Sequence, residues 1–129
     1  MTQELTRILY VEDDPDIQVI AVMVLETISG FTLEACSSGK EAVSKAVAFK
    51  PDLMLLDVMM PGMDGPETLK NLRTFAELAT TPVVFMTAKV QPQEVADYLK
   101  LGAMGVIAKP FDPMTLAQQL RDIWAHKLV

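Results

Sequence analysis

Five short apolar runs punctuate the chain, at residues 7 to 11, 31 to 36, 53 to 57, 82 to 86 and 105 to 108. Each is rich in aliphatic or aromatic residues and ends at polar or turn-forming ones, the pattern of strands. Between them, apolar positions recur at helical spacing. Ile17, Ile20, Ala21, Val24, Leu25 and Ile28 trace one face as far as Ser29-Gly30, and Asp14-Pro15 ahead of them suits an N-cap and first helical position. Ser38 and Glu41, at capping-box spacing, open a second helix running to about Lys50. Asp64-Gly65-Pro66 opens a third to about Phe75, and residues 92 to 101 form a fourth stopped by Gly102. Asp112-Pro113 caps a fifth, which carries Leu116, Leu120, Ile123 and Trp124.

Regular alternation of strand and helix through short loops predicts an α/β domain whose parallel sheet is covered on both faces. The third run is its most constrained part. Leu53-Met54-Leu55-Leu56 is continuously apolar, as a strand buried on both faces requires, yet it ends in Asp57 with Pro61-Gly62 close behind. An ionised carboxylate there is costly unless a cation meets it, whereas an aspartate that merely starts a turn is commonplace. The other strand ends weigh on the choice. Open α/β sheets bind ligands beyond the carboxyl ends of their strands. Polar residues gather at that rim: Glu12, Asp13 and Asp14 after the first strand, Thr87 after the fourth and Lys109 after the fifth.

Composition narrows the function classes. At 129 residues, half apolar and 22% charged, the chain fits one folded domain over residues 1–129. A formal net charge of -6 argues against nucleic acid as a partner. No stretch has the pattern of a signal peptide or the length of a membrane span, so a cytoplasmic location without membrane attachment is expected. Cys36, the single cysteine, reads as a small buried hydrophobe, and His126 near the chain end as a solvated residue.

Two carboxylates about 4 Å apart repel by roughly 4 kcal/mol at an effective dielectric near 20. A lysine offsets part of that. Several carboxylates with loop carbonyls nearby make an oxygen-only site that suits Mg²⁺, and one histidine and one cysteine make zinc a poor match. A carboxylate beside a divalent cation, a lysine ammonium and a threonine hydroxyl is a setting for phosphoryl transfer, with Asp57 as the nucleophile candidate.

The matching elements are Ile8-Leu9-Tyr10-Val11-Glu12-Asp13-Asp14, Leu55-Leu56-Asp57 with Met60-Pro61-Gly62-Met63-Asp64-Gly65, Thr87-Ala88, Gly102-Ala103 and Lys109-Pro110-Phe111. In this order and at these separations they resemble the receiver domain of bacterial two-component response regulators, over essentially the whole chain. The resemblance implies a flavodoxin-like (βα)5 fold, a doubly wound five-stranded parallel sheet in the order 2-1-3-4-5 within three α/β/α layers. It implies that Asp57 accepts a phosphoryl group from a histidine kinase or histidine phosphotransfer protein, with Mg²⁺ held by Asp13, Asp57 and the backbone carbonyl of Met59, and by Glu12 through water. Lys109 and Thr87 would contact the phosphoryl oxygens, and the Lys109-Pro110 bond would be cis. Such a domain catalyses its own phosphorylation and dephosphorylation without being a metabolic enzyme.

Two features depart from the family pattern. Val106 stands where many members carry an aromatic switch residue, and the bulky Met59 beside the site is expected to prolong the phosphoryl group's life. Val95, Leu99 and Val106 are expected on the face that meets an output protein or, after phosphorylation, a second copy of an otherwise monomeric chain. The alternatives are a receiver excised from a longer DNA-binding regulator or hybrid kinase, and a Mg²⁺-dependent phosphohydrolase with an Asp nucleophile. Met59 replaces the second acid of the hydrolase pattern Asp-x-Asp. A flavodoxin-like binder would need a phosphate-cradling loop after the first strand, where acids sit instead.

Overall fold

Alternation along each strand decides where the core lies. In the computed structural model, which describes residues 4–126, β1 (Arg7–Val11) and β3 (Leu53–Asp57) lie side by side and parallel. Ile8, Tyr10, Leu53 and Leu55 point to one face of the sheet, and Leu9, Val11, Met54 and Leu56 to the other. β2 (Thr32–Cys36) flanks β1, while β4 (Val83–Thr87) and β5 (Gly105–Ala108) extend the sheet beyond β3. The strand order is 2-1-3-4-5, the flavodoxin-like order expected from the resemblance. Every residue of β3 and β4 is buried, as central strands covered on both faces must be.

Helices α1 (Pro15–Val22) and α5 (Leu116–His126) cover the first face, where Ala21, Leu116, Leu120 and Trp124 meet Tyr10, Leu55 and Met86. Helices α2 (Gly39–Phe49) and α3 (Gly65–Leu72) cover the second, with Ala42, Ala46, Leu69 and Leu72 against Leu9, Leu56 and Phe85. Helix α4 (Pro92–Lys100) has no buried residue of its own; its Tyr98 ring rests on Phe85 at a centroid distance of 5.4 Å. Cys36 is buried in the second core, as expected of a small hydrophobe.

Several element ends differ from the sequence expectation. The first helix is α-helical only to Val22 and continues as a π-helical stretch, Met23–Ile28, in which the Ser29 amide donates to Val24 O at 3.1 Å. Apolar spacing over one turn does not separate these helix types. Helix α3 stops at Leu72 rather than near Phe75, because Arg73 turns back to donate to Leu78 O and Thr81 O, and a 3₁₀ turn, Ala76–Leu78, follows. Helix α5 begins at Leu116, although Asp112 does cap the turn before it by accepting from the Met114 amide at 2.8 Å. Ser38 caps α2 by accepting from the Glu41 amide, but the Glu41 carboxylate reaches the Ser37 amide, one residue before the expected partner.

Backbone closeness, rather than chain flexibility, explains Gly65. Its amide donates to Val58 O at 2.9 Å, and a Cβ there would lie 2.6 Å from Asp57 O and 2.9 Å from Val58 Cα. Helix α3 can therefore start directly against the backbone that carries Asp57. Gly65→Ala should cost about 1–3 kcal/mol by forcing two backbones apart, read as a lower urea midpoint.

Candidate functional site

Val11 and Leu56 are paired in the sheet, so the residues that follow, Glu12 and Asp57, emerge side by side at the same rim. Both are buried. Lys109 leaves the end of β5, where its amide donates to Thr87 O at 2.9 Å. From there its side chain crosses β4, and Nζ meets Glu12 Oε1 at 2.9 Å and Asp57 Oδ1 at 3.2 Å. The peptide bond from Lys109 to Pro110 is cis, as expected. The Asp13 carboxylate is the more open one, with oxygen atoms of Glu12, Asp13 and Asp57 all within 4.8 Å of one another.

Three carboxylates thus face one ammonium. The Asp57 pKa is raised to about 7, first by burial and then by the hydrogen bond and charge of Glu12, with Lys109 opposing them. For Lys109, burial alone would depress the pKa, but its hydrogen bond to Glu12 and the charges of Asp57 and Glu12 outweigh burial and hold it above the ordinary lysine value. The lysine stays charged and the site still carries excess negative charge. All the clustered donors are carboxylate oxygens and one side is open, which fits a hard divalent cation that keeps water ligands.

The sequence-predicted residues fall unevenly around this centre. Glu12, Asp13, Asp57 and Lys109 come together. Thr87 is buried at the end of β4, where its Oγ1 accepts from the Lys89 amide at 3.0 Å. The Met59 side chain is 64% exposed, just beyond Asp57. Asp14 caps α1, accepting from the Asp16 and Ile17 amides, while its own amide donates to Glu12 Oε2 at 3.2 Å. Val95 and Val106 line a cleft of about 440 Å³ with Val90, Ile107 and Ile123, whereas Leu99 is exposed outside that lining.

Two contributors were not anticipated. Gln18 Nε2 donates to Glu12 O and Cys36 O, both at 3.1 Å, and so braces the loop that carries the acids. A glutamine on a helix has no spacing signal that would mark this. Tyr10, buried two residues before Glu12, has a hydroxyl without a hydrogen-bond partner.

The family described as response regulator receiver domain matches residues 8–121 of the chain. The chain belongs to that family. The receiver is 37% identical over 91% of its length to the alkaline phosphatase synthesis transcriptional regulatory protein PhoP of Bacillus subtilis, covering 48% of that protein. It is 36% identical over 89% of its length to the DNA-binding response regulator MtrA of Mycolicibacterium smegmatis, covering 49% of it. Among solved structures it superposes on the chemotaxis protein CheY4 of Vibrio cholerae with a TM-score of 0.84 and 30% identity, over 92% of this chain and 98% of that one. The chain spans about half the length of the curated relatives it matches. A receiver of this family is a signalling component of two-component systems rather than a metabolic enzyme, and receivers in general bind Mg²⁺. Among the described residues no helix is long and apolar enough to cross a membrane.

The raised Asp57 pKa has a thermodynamic counterpart. Its folded-state value near 7 exceeds the ordinary aspartate value of 3.8, so between these values the folded receiver holds a proton that the unfolded chain has lost. The resulting stability is complete below the unfolded value and disappears as pH rises through about 7. Asp57→Asn cannot ionise and should lack this decline. In metal-free buffer it should exceed wild type by on the order of 1–3 kcal/mol near pH 8 and match it near pH 4, as measured by urea unfolding.

Proposed function

We propose that this receiver takes a phosphoryl group onto Asp57 from the phosphohistidine of a kinase or histidine phosphotransfer protein and passes the change to a protein partner. The observation that carries the reading is the Lys109 ammonium held between Asp57 and Glu12, with the Asp13 carboxylate beside them. An Asp57 oxygen forms the new P–O bond as the P–N bond to the donor imidazole breaks, leaving an acyl phosphate. Asp13, Asp57, the Met59 backbone carbonyl and Glu12 through water would hold Mg²⁺, which supplies positive charge against the phosphoryl oxygens. Lys109 turns from Glu12 to one of those oxygens, and the Thr87 hydroxyl leaves the Lys89 amide for another. Met59, exposed beside the acceptor, screens the acyl phosphate from attacking water. The same residues confer autophosphorylation by small phosphodonors and autodephosphorylation.

The output surface is the cleft lined by Val95 on α4, Val106 on β5 and Ile123 on α5, together with the exposed Leu99 one turn along α4 from Val95. Val106 cannot act as an aromatic rotamer switch, so the signal is read through the position of α4. We assign residues 1–129 to one receiver domain working in the cytoplasm, as a monomer or a phosphorylation-dependent dimer. A second reading, a receiver that is part of a longer DNA-binding regulator, is favoured by the half-length match to PhoP and MtrA. The full reading frame in the genome distinguishes the two.

Acetyl phosphate with Mg²⁺ should add one phosphoryl group, mapped to Asp57 by intact mass and peptide analysis. Asp57→Asn or chelation of the metal should abolish the label. An unlabelled wild type would overturn the proposal. Met59→Asn should lose its label severalfold faster than wild type when decay is followed by the same mass measurement.

A further inference from the structure

Of the three clustered carboxylates, two are aimed by Lys109, whose ammonium meets Glu12 Oε1 and Asp57 Oδ1. Asp13 is held differently. Among the described residues no hydrogen bond or ion pair grips its carboxylate, so the direction of that group follows from its backbone. Two peptide units flank Asp13 and set its φ and ψ. The one between Asp13 and Asp14 is fixed by the Asp14 amide, which donates to Glu12 Oε2 at 3.2 Å. The one between Glu12 and Asp13 is fixed through its carbonyl, which accepts from Gln18 Nε2 at 3.1 Å.

Gln18 is itself well anchored. Its backbone amide donates to Asp14 O at 3.0 Å in the first turn of α1, and Nε2 donates a second time, to Cys36 O at 3.1 Å. Cys36 O also accepts from the Glu12 amide at 3.0 Å. A closed ring of hydrogen bonds therefore joins the ends of β1 and β2 to α1, and it uses both donors of one carboxamide. One residue clasps the acidic loop at both ends, with its side chain on Glu12 O and its backbone amide on Asp14 O. Asp13 sits between the two grips.

Such a clasp affects different cations differently. Mg²⁺ demands near-ideal octahedral geometry at about 2.0–2.1 Å, whereas Ca²⁺ takes more oxygens at about 2.3–2.6 Å in flexible arrangements. A carboxylate on a backbone that cannot yield suits the first, and one on a slack loop adapts to the second. We propose that Gln18 is a positioning residue that sets the metal preference of the site: by fixing the peptide between Glu12 and Asp13, it holds the Asp13 carboxylate in the defined direction that favours Mg²⁺ over Ca²⁺. The inference rests on the reading of Glu12, Asp13 and Asp57 as the Mg²⁺ site.

The test titrates metal-free wild type, Gln18→Met and Val24→Ala with Mg²⁺ and, separately, with Ca²⁺, following the amide resonances of Asp13 and Asp57, beside urea unfolding without metal. Methionine is as long as glutamine and equally uncharged, but it has no donors. Gln18→Met should bind Mg²⁺ about tenfold less tightly and Ca²⁺ within about twofold of wild type, so that the ratio of the two affinities falls. Val24 lies further along the same helical segment, in the apolar core. Val24→Ala should lower the urea midpoint and leave the ratio unchanged. An unchanged ratio in Gln18→Met, whether from no loss or from equal loss for both metals, would overturn the assignment, as would an equal fall in Val24→Ala. A wild type that binds neither metal would overturn the Mg²⁺ reading of the acidic cluster, and the role of Gln18 with it.

Discussion

Lys109 stands between Glu12 and Asp57, and much of the molecule is arranged so that it can. Without that ammonium, adjacent strands would deliver buried carboxylates to one point with nothing to hold them there, and the rim of the sheet would repel itself. With it, the rim is stable enough to fold and still negative enough to attract a divalent cation. The lysine reaches the acids from two strands away, so the whole width of β3, β4 and β5 serves as the ruler that sets its distance. A parallel sheet buried on both faces is suited to that task because a strand that slid by one residue would move its whole set of side chains into the opposite, differently packed layer.

Rigidity is unevenly distributed. β3, which presents Asp57, is packed on both sides and has the start of α3 pressed against its end at Gly65. Gln18 ties α1 to the ends of β1 and β2 and fixes the loop that carries Glu12, Asp13 and Asp14. Across the site, the Lys89 amide donates to Thr87 Oγ1, and the helix that follows, which has no buried residue of its own, rests its Tyr98 ring on Phe85. A firmly held strand end facing a lightly packed helix is the division of rigidity that the proposed phosphoacceptor role of Asp57 calls for.

Much of this was legible in the amino-acid sequence because its physics is local. The five strands appear as apolar runs with polar ends, and their parallel pairing follows from the helices between them. Glu12, Asp57, Thr87 and Lys109 could be found because strand ends of an open sheet share one rim. What escaped was set by tertiary structure. The π-helical turn after Val22 keeps the apolar spacing of an α-helix. The early end of α3 depends on Arg73 finding carbonyls at Leu78 and Thr81. Tyr10 fits the alternation of a core strand so well that its hydroxyl is invisible until the surrounding groups are in place. Thr87 was correctly placed at the rim, but which neighbour its hydroxyl faces is a rotamer choice that no spacing encodes.

The absence of any buried residue in α4 bears on how much energy a signal requires. Moving a two-state equilibrium from about one part in a hundred to about ninety-nine takes roughly 5.5 kcal/mol of differential stabilisation. A few charge-assisted hydrogen bonds to a newly attached group, at about 1.5–3 kcal/mol each, are on that scale. They could not reposition a helix whose side chains were locked into a core, where displacing even one large apolar residue can cost as much as several such bonds. A lightly anchored α4 thus matches the size of the mechanical load to the modest free energy one covalent modification can deliver.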